Sequence, residues 1–237
     1  MRITFYATLE QADRESLQGA VVVVIDVLRA TSTILAALDR GAKRIIPVED
    51  IETATRLVRP DDRGSKLLVG ERKGLPIEGF DLFNSPQELA PDVVKGKTLI
   101  LTTSNGTRSL AAAAKAARIL ICSINNVGAV AGALGGEEDV VILCSGTEGR
   151  VASEDLLCGG LLLGSLGYRA DCGALDDTAR LAMLIAETHG SDIEGFLRSS
   201  DRGRALIELG YESDVVYCSM LDSSSRVPGF EQGAVTS

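Results

Sequence analysis

The stretch AVVVVIDVLRATSTI, Ala20 to Ile34, decides how the rest of the chain is read. Its opening, AVVVVIDV (20 to 27), is apolar and β-branched without polar alternation, which is the mark of a strand covered on both faces, as in a parallel sheet. The run closes on Asp26, and the residues beyond it, TSTILAALDRG, have helical spacing, with Thr31 as a capping residue and Gly41 where a C-cap glycine is wanted. A buried strand passing into a helix through an acid, an arginine and several hydroxyls is the repeating unit of an open α/β sheet.

That unit recurs through the first two-thirds of the chain. The runs RIIPV (44 to 48), KLLVGE (66 to 71), TLILTT (98 to 103), RILICSI (118 to 124) and DVVILCS (139 to 145) alternate with the helical segments DIETATRLV, SPQELAPDVV, NGTRSLAAAAKAA, NVGAVAGAL and SEDLLCGGLLLGSLG. Ser85, Asn105, Asn126 and Ser153 stand at the strand-to-helix turns as capping residues. The order predicts an α/β fold, a mostly parallel sheet flanked by helices in three α/β/α layers, compatible with two pseudo-similar halves. Residues 175 to 237 are more helical, with one late strand expected at VVYCSML and a polar tail, SSSRVPGFEQGAVTS. No composition break marks a linker, so residues 1 to 237 read as a single domain.

Bulk properties narrow the function. Of 237 residues 45% are hydrophobic, enough for a sizeable core. The 24 Lys and Arg against 33 Asp and Glu give a net charge of −9, a field that repels polyanions and argues against nucleic acid as a partner. No run approaches the roughly 18 apolar residues of a membrane span, and MRITFYATLEQADRES lacks the apolar core of a signal peptide, so a cytoplasmic protein without membrane association is expected. Five scattered cysteines, with no C-x-x-C pair, read as free thiols. The single histidine, His189, precedes Gly190 at a helix end, a capping position rather than a catalytic one. Neither a G-x-x-x-x-G-K-[ST] loop nor a G-x-G-x-x-G turn is present. The small-residue helices NGTRSLAAAAKAA and NVGAVAGAL are candidates for packing in a homo-oligomer.

Ligands of open α/β sheets bind beyond the carboxyl ends of the strands. Here those ends carry Asp26, Arg29, Thr31 and Ser32; Glu71, Arg72 and Lys73, followed by Asn84 and Ser85; Ser104, Asn105, Gly106, Thr107 and Arg108; and Gly146, Thr147, Arg150, Glu154 and Asp155. Hydroxyls, glycines and arginines suit a phosphate, and the carboxylates Asp26, Glu71, Glu154 and Asp155 are hard oxygen ligands of the kind Mg²⁺ takes. Singly, each has a structural role open to it, as a cap or a charged turn. The segment CSGTEGR, Cys144 to Arg150, also has the Cys-x₅-Arg spacing of a cysteine-phosphatase loop. Glu148 in that loop would raise rather than lower the thiol pKa, and Cys144 is read as core.

The segments VVVIDVLRATSTI, GERKGLPIEGFDLFNSPQE, LILTTSNGTRSL and CSGTEGRVASEDLLCGG, in this order, resemble the magnesium-dependent 2-phosphosulfolactate phosphatases of coenzyme M biosynthesis, over nearly the whole chain. The resemblance implies Mg²⁺-dependent hydrolysis of a small anionic phosphomonoester, with release of 3-sulfolactate and phosphate. On that basis Asp26, Glu154 and Asp155 are expected to hold the metal, and Asp26, Arg29, Glu154 and Asp155 to be catalytic. Thr31, Ser32, Arg72, Lys73, Asn84, Ser85, Ser104, Asn105, Gly106, Thr107, Arg108, Gly146, Thr147 and Arg150 are expected to bind substrate. An activated water, with Glu154 or Asp155 as base, and a carboxylate nucleophile such as Asp26 both remain open. A related phosphoacid substrate, or a non-catalytic binder of such an anion, is the alternative. The family pattern has Ser-His-Gly where this chain reads Asp201-Arg202-Gly203, so catalysis here does without that histidine or is altered.

Overall fold

The computed structural model describes residues 1–62 and 64–237. The strands are β1 (Arg2–Tyr6), β2 (Val21–Ile25), β3 (Arg44–Pro47), β4 (Lys66–Arg72), β5 (Leu75–Pro76), β6 (Leu82–Phe83), β7 (Thr98–Thr102), β8 (Arg118–Cys122), β9 (Asp139–Cys144), β10 (Gly229–Glu231) and β11 (Ala234–Thr236). The helices are α1 (Arg14–Leu17), α2 (Ala30–Asp39), α3 (Ile51–Arg56), α4 (Pro91–Val94), α5 (Gly106–Ala112), α6 (Val127–Ala133), α7 (Ser153–Ser165), α8 (Asp177–His189), α9 (Ile193–Ser199), α10 (Asp201–Glu208) and α11 (Glu212–Cys218).

The sheet is mostly parallel, in the order β1-β9-β2-β8-β10-β11-β3-β7-β4-β5, with β6 beside β4. Its two parallel sets, β1-β9-β2-β8 and β3-β7-β4, are joined by the antiparallel β10–β11 hairpin. β10 meets β8 at Gly229 and Leu120, and β11 meets β3 at Val235 and Ile45. The continuous apolar runs follow from burial on both faces. In β2, Val23 and Ile25 pack with Leu157 and Leu162 of α7, while Val22 and Val24 pack with Ile34 of α2 and Leu110 of α5.

Three local expectations are corrected. The run VVYCSML is not a strand: Val215 to Cys218 close α11, where Asp214, Val215 and Cys218 are buried at helical spacing. The polar tail contributes the β10–β11 hairpin. RITFY, not expected as an element, forms β1, whose alternating burial is that of an outermost strand.

The capping residues also do something other than cap. Thr31 lies inside the first turn of α2, whose N-cap position is Arg29, and Ser153 is already the first residue of α7. Asn105 and Asn126 hold N-cap positions, but their side-chain oxygens accept from the Glu148 and Ser123 N–H groups instead. A loop-to-loop tie has taken the Asn105 oxygen, while the Asn126 oxygen closes a local capping box with Ser123. Gly41 fits its expectation: it has φ +88° and donates its N–H to the Leu38 carbonyl after α2.

Candidate active site

Asp26 follows β2 directly and is folded back on the first turn of α2. Its Oδ1 accepts from the Ala30 N–H at 3.2 Å, and its carbonyl accepts from the Thr31 N–H and Oγ1 at 2.9 and 2.8 Å. Its Oδ2 lies over Gly106 of α5, where a Cβ would stand 2.8 Å from that oxygen and 2.5 Å from the Ala30 Cβ. Only glycine leaves room there, so the two parallel sets of strands meet at this carboxylate. Burial is the largest influence on Asp26; the Ala30 N–H opposes it, Glu71 and Glu154 add to it, Arg202 opposes it, and the carboxyl is pushed up to about 6.

Glu71, at the end of β4, ties two loops together. Its Oε1 accepts from the Ser104 N–H at 2.7 Å, and its Oε2 accepts from the Gly74 N–H at 2.7 Å and the Ser104 hydroxyl at 3.2 Å. Lys73, at φ 53°, donates its N–H to the Ser104 hydroxyl at 3.1 Å. Around these groups lies an inner cleft of about 70 Å³ whose lining includes Asp26, Arg29, Glu71, Lys73, Asn84 and Ser104, together with Asn105, Thr147 and Arg202. An outer cleft of about 500 Å³ adjoins it, lined by Arg150, Ser153, Glu154 and Ser200; Thr147, Glu148 and Arg202 belong to both. Burial pushes the Glu154 carboxyl up.

Several expected site residues lie in the supporting shell. Ser32 donates to the Val27 carbonyl and shares a hydrogen bond with Ser123. Thr107 donates to the Thr103 carbonyl, and Arg72 reaches the Glu49 carbonyl and Thr102. Ser85 donates to Asp214, Arg108 pairs at the surface with Glu10, and Gly146, at φ 65°, donates its N–H to Asp155. Asp155 accepts from the Val27 N–H at 2.8 Å and the Gly146 N–H at 3.2 Å, one on each oxygen, and borders neither cleft. Burial, then Asp26 and Glu154, hold it well above the carboxylate range.

Arg29 is fully buried, paired with Asp214 and set against the rings of Phe83 and Tyr211, 4.3 and 4.8 Å from their centroids, with the two rings packed on each other at 4.7 Å. Its Nε and Nη2 have no partner among the described residues. Cys144 is buried at the end of β9, donates its S–H to the Asp155 carbonyl at 3.6 Å, and is driven well above a normal thiol pKa by burial and by Asp155. A buried thiol of raised pKa is a poor nucleophile, so CSGTEGR is a strand end and a loop.

Asp214 and Arg202 belong to the C-terminal helices α11 and α10; no local pattern marks Asp214 as part of the site, and Arg202 stands out in the sequence only as a departure from the family pattern at Asp201-Arg202-Gly203. Glu71 was legible as a strand-end carboxylate, but not as the tie between two loops.

A two-sided, mostly parallel sheet with carboxylates and cations gathered where its strand ends meet is the build of an α/β enzyme for a small anionic substrate. The comparisons place it more closely. The family model described as 2-phosphosulpholactate phosphatase matches residues 6–233. A protein of Caldanaerobacter subterraneus subsp. tengcongensis is 39% identical over 236 residues, covering 99% of this chain and 98% of its own, and one of Clostridium acetobutylicum is 39% identical over 236 residues, covering 99% and 100%. A third, from Symbiobacterium thermophilum, is 37% identical over 222 residues, covering 93% and 95%; all three are named probable 2-phosphosulfolactate phosphatase. The chain belongs to the 2-phosphosulfolactate phosphatase family of phosphoric monoester hydrolases. Among the described residues no helix is long and apolar enough to cross a membrane.

Proposed function

We propose that the protein hydrolyses 2-phosphosulfolactate to 3-sulfolactate and phosphate with Mg²⁺, as a cytoplasmic step of coenzyme M biosynthesis. The observation that carries this reading is the inner cleft, where the half-free carboxylate of Asp26 faces Lys73 and Ser104 in a chain related to these phosphatases over nearly its full length.

The donor set suits the metal. Mg²⁺ takes one or two carboxylates and leaves its remaining positions to water and substrate phosphate. Asp26 offers Oδ2, held clear by Gly106, and Glu154 offers a carboxylate from the adjoining cleft. Asp155 fits as the support that fixes the loops around them. Among the described residues no three His, Cys, Asp or Glu side chains stand together as a metal-holding group, so Asp26, Glu154 and Asp155 do not converge as one set of three ligands. When bound, the metal neutralises charge on the phosphate oxygens and acidifies water.

Lys73, the Ser104 hydroxyl and Asn105 hold the phosphoryl group, with Arg29 behind them. A water attacks phosphorus, Glu154 takes one of its protons, the bond from phosphorus to the C2 oxygen breaks, and that oxygen takes a proton from solvent while Glu154 releases its own to solvent. Glu154 is preferred to Asp155 as base because it borders a cleft and does not hold two backbone N–H groups.

Phosphate release from racemic 2-phosphosulfolactate, phospholactate and phosphoglycolate, each with Mg²⁺ and with EDTA, tests the reading. Turnover with Mg²⁺ alone, fastest on the sulfonate and lost in Asp26→Asn, is expected. Turnover that survives EDTA overturns the metal role, and ligand binding without turnover leaves a binding protein.

A further inference from the structure

Arg202, the second residue of α10, lines both clefts. Its Nη1 and Nη2 lie 2.8 and 3.3 Å from where a Cβ on Gly74 would stand, so the guanidinium rests on bare backbone at the tip of the β4–β5 turn. Gly74 has φ +80°, a conformation that favours glycine and so keeps that seat bare. Among the described residues, four cations border the two clefts. Arg29 is paired with Asp214 and Arg150 lies 3.9 Å from Glu148, whereas Lys73 and Arg202 make no ion pair. The Arg202 guanidinium makes no hydrogen bond to protein among those residues either, although Arg204, two positions on, pairs with Asp201.

A half-buried guanidinium with five uncommitted donors, standing in the first turn of a helix where the dipole disfavours a cation, has little structural reason to be there. It has the chemistry of an oxyanion receptor. Lys73 borders the inner cleft alone, whereas Arg202 is open to the roomier outer one, where the part of a substrate that does not react has to lie.

We propose that Arg202 is a specificity-determining residue that clamps the second, non-reacting oxyanion of the substrate, a carboxylate or sulfonate, across the junction of the two clefts. The assignment rests on the phosphatase reading of the inner cleft and names the substrate class it selects: phosphomonoesters of small acids over neutral phosphomonoesters.

The test compares wild type, Arg202→Gln and Arg202→Lys on four esters with Mg²⁺: 2-phosphosulfolactate, phospholactate (carboxylate only), 2-phosphoethanesulfonate (sulfonate only) and isopropyl phosphate (neither). Arg202→Gln is expected to raise KM at least tenfold on esters bearing the clamped group, with kcat changed less than threefold and isopropyl phosphate turnover unchanged. Lysine is expected to restore part of the loss. Whichever single-anion ester loses affinity identifies the group. Equal losses on all four esters, or none on any, overturn the assignment. Calorimetric titration with 3-sulfolactate, which has no phosphate, separates the two readings. If wild type turns over no ester the phosphatase reading fails, yet a tenfold weaker 3-sulfolactate affinity in Arg202→Gln still supports the clamp, and equal affinity or no binding by wild type overturns it. Unchanged melting temperatures exclude a folding defect, since Arg202 is only partly buried.

Discussion

Asp26 is a residue whose fold and function pull in opposite directions. Its carboxyl is raised from 3.8 to about 6, so the folded protein binds its proton more tightly than the unfolded chain does. The sign follows: the stability linked to that proton is complete below pH 3.8 and is lost as pH rises through about 6. At about 1.4 kcal/mol per unit, the cost of carrying the charge in metal-free protein reaches roughly 3 kcal/mol at neutral pH. Asp26→Asn keeps the acceptor for the Ala30 N–H and removes that charge. In EDTA, urea unfolding is expected to show the variant as stable as wild type at pH 4 and more stable at pH 7.5, by about 2 to 3 kcal/mol; parallel curves at both pH values would contradict the argument. Arg29 and Asp214 pose the converse case. Truncating the acid by Asp214→Ala leaves a buried guanidinium without its counter-charge, and a loss of about 3 to 5 kcal/mol is expected in the same assay. Asp214 holds Ser85 and the Gln87 N–H as well, so Asp214→Asn should recover part of the loss.

At the scale of elements, the site is made by loops that bind one another before they bind a ligand. Glu71 joins the end of β4 to the loop after β7 through two hydrogen bonds, from the Ser104 N–H and hydroxyl, and holds the β4–β5 turn with a third, from the Gly74 N–H. In Glu71→Gln one acceptor becomes an amide donor facing an N–H, so a stability loss of about 1 to 3 kcal/mol is expected, together with a larger proportional fall in kcat as Ser104 loses its position. Retention of both stability and rate would show the tie to be dispensable. These ties also explain what was legible beforehand. The six long apolar runs could be read because burial on both faces writes an unbroken signal, and the acids and hydroxyls at their ends could be read because they interrupt it. VVYCSML misled because Val215 and Val216 are β-formers, whereas one buried face of a short helix decides the conformation. RITFY was invisible because an outermost strand alternates weakly over five residues. Arg202 and Asp214 reach the site by tertiary packing of C-terminal helices, which leaves no periodic trace.

At the scale of the molecule, the cleft belongs to neither set of strands alone. Asp26 and Thr147 follow β2 and β9 of one set, while Glu71 stands at the end of β4 and Ser104 follows β7 of the other. The β10–β11 hairpin is the hydrogen-bonded link between the sets along the sheet, through the Gly229–Leu120 and Val235–Ile45 pairings and the Ile121 N–H bond to the Pro228 carbonyl at 2.9 Å. Val235 is wholly buried beside Ile45, and Phe230 packs on the same core, so burying these two side chains contributes several kcal/mol at about 1.5 to 3 kcal/mol each. Deleting residues 229–237 removes that contribution and leaves the edges of β8 and β3 unpaired. The shared core around α2 and α5 still holds the sets loosely together, but without a fixed register across the join. Calorimetry is expected to show one sharp transition for the intact chain and a broader one, at least about 5 °C lower, for the truncated chain. Because the cleft needs both sets aligned to within a fraction of an ångström, the truncated protein should lose nearly all turnover at temperatures where it is still folded. A truncated chain with native turnover and an unchanged transition would mean that the packing of α2 and α5, rather than the hairpin, sets the geometry of the site.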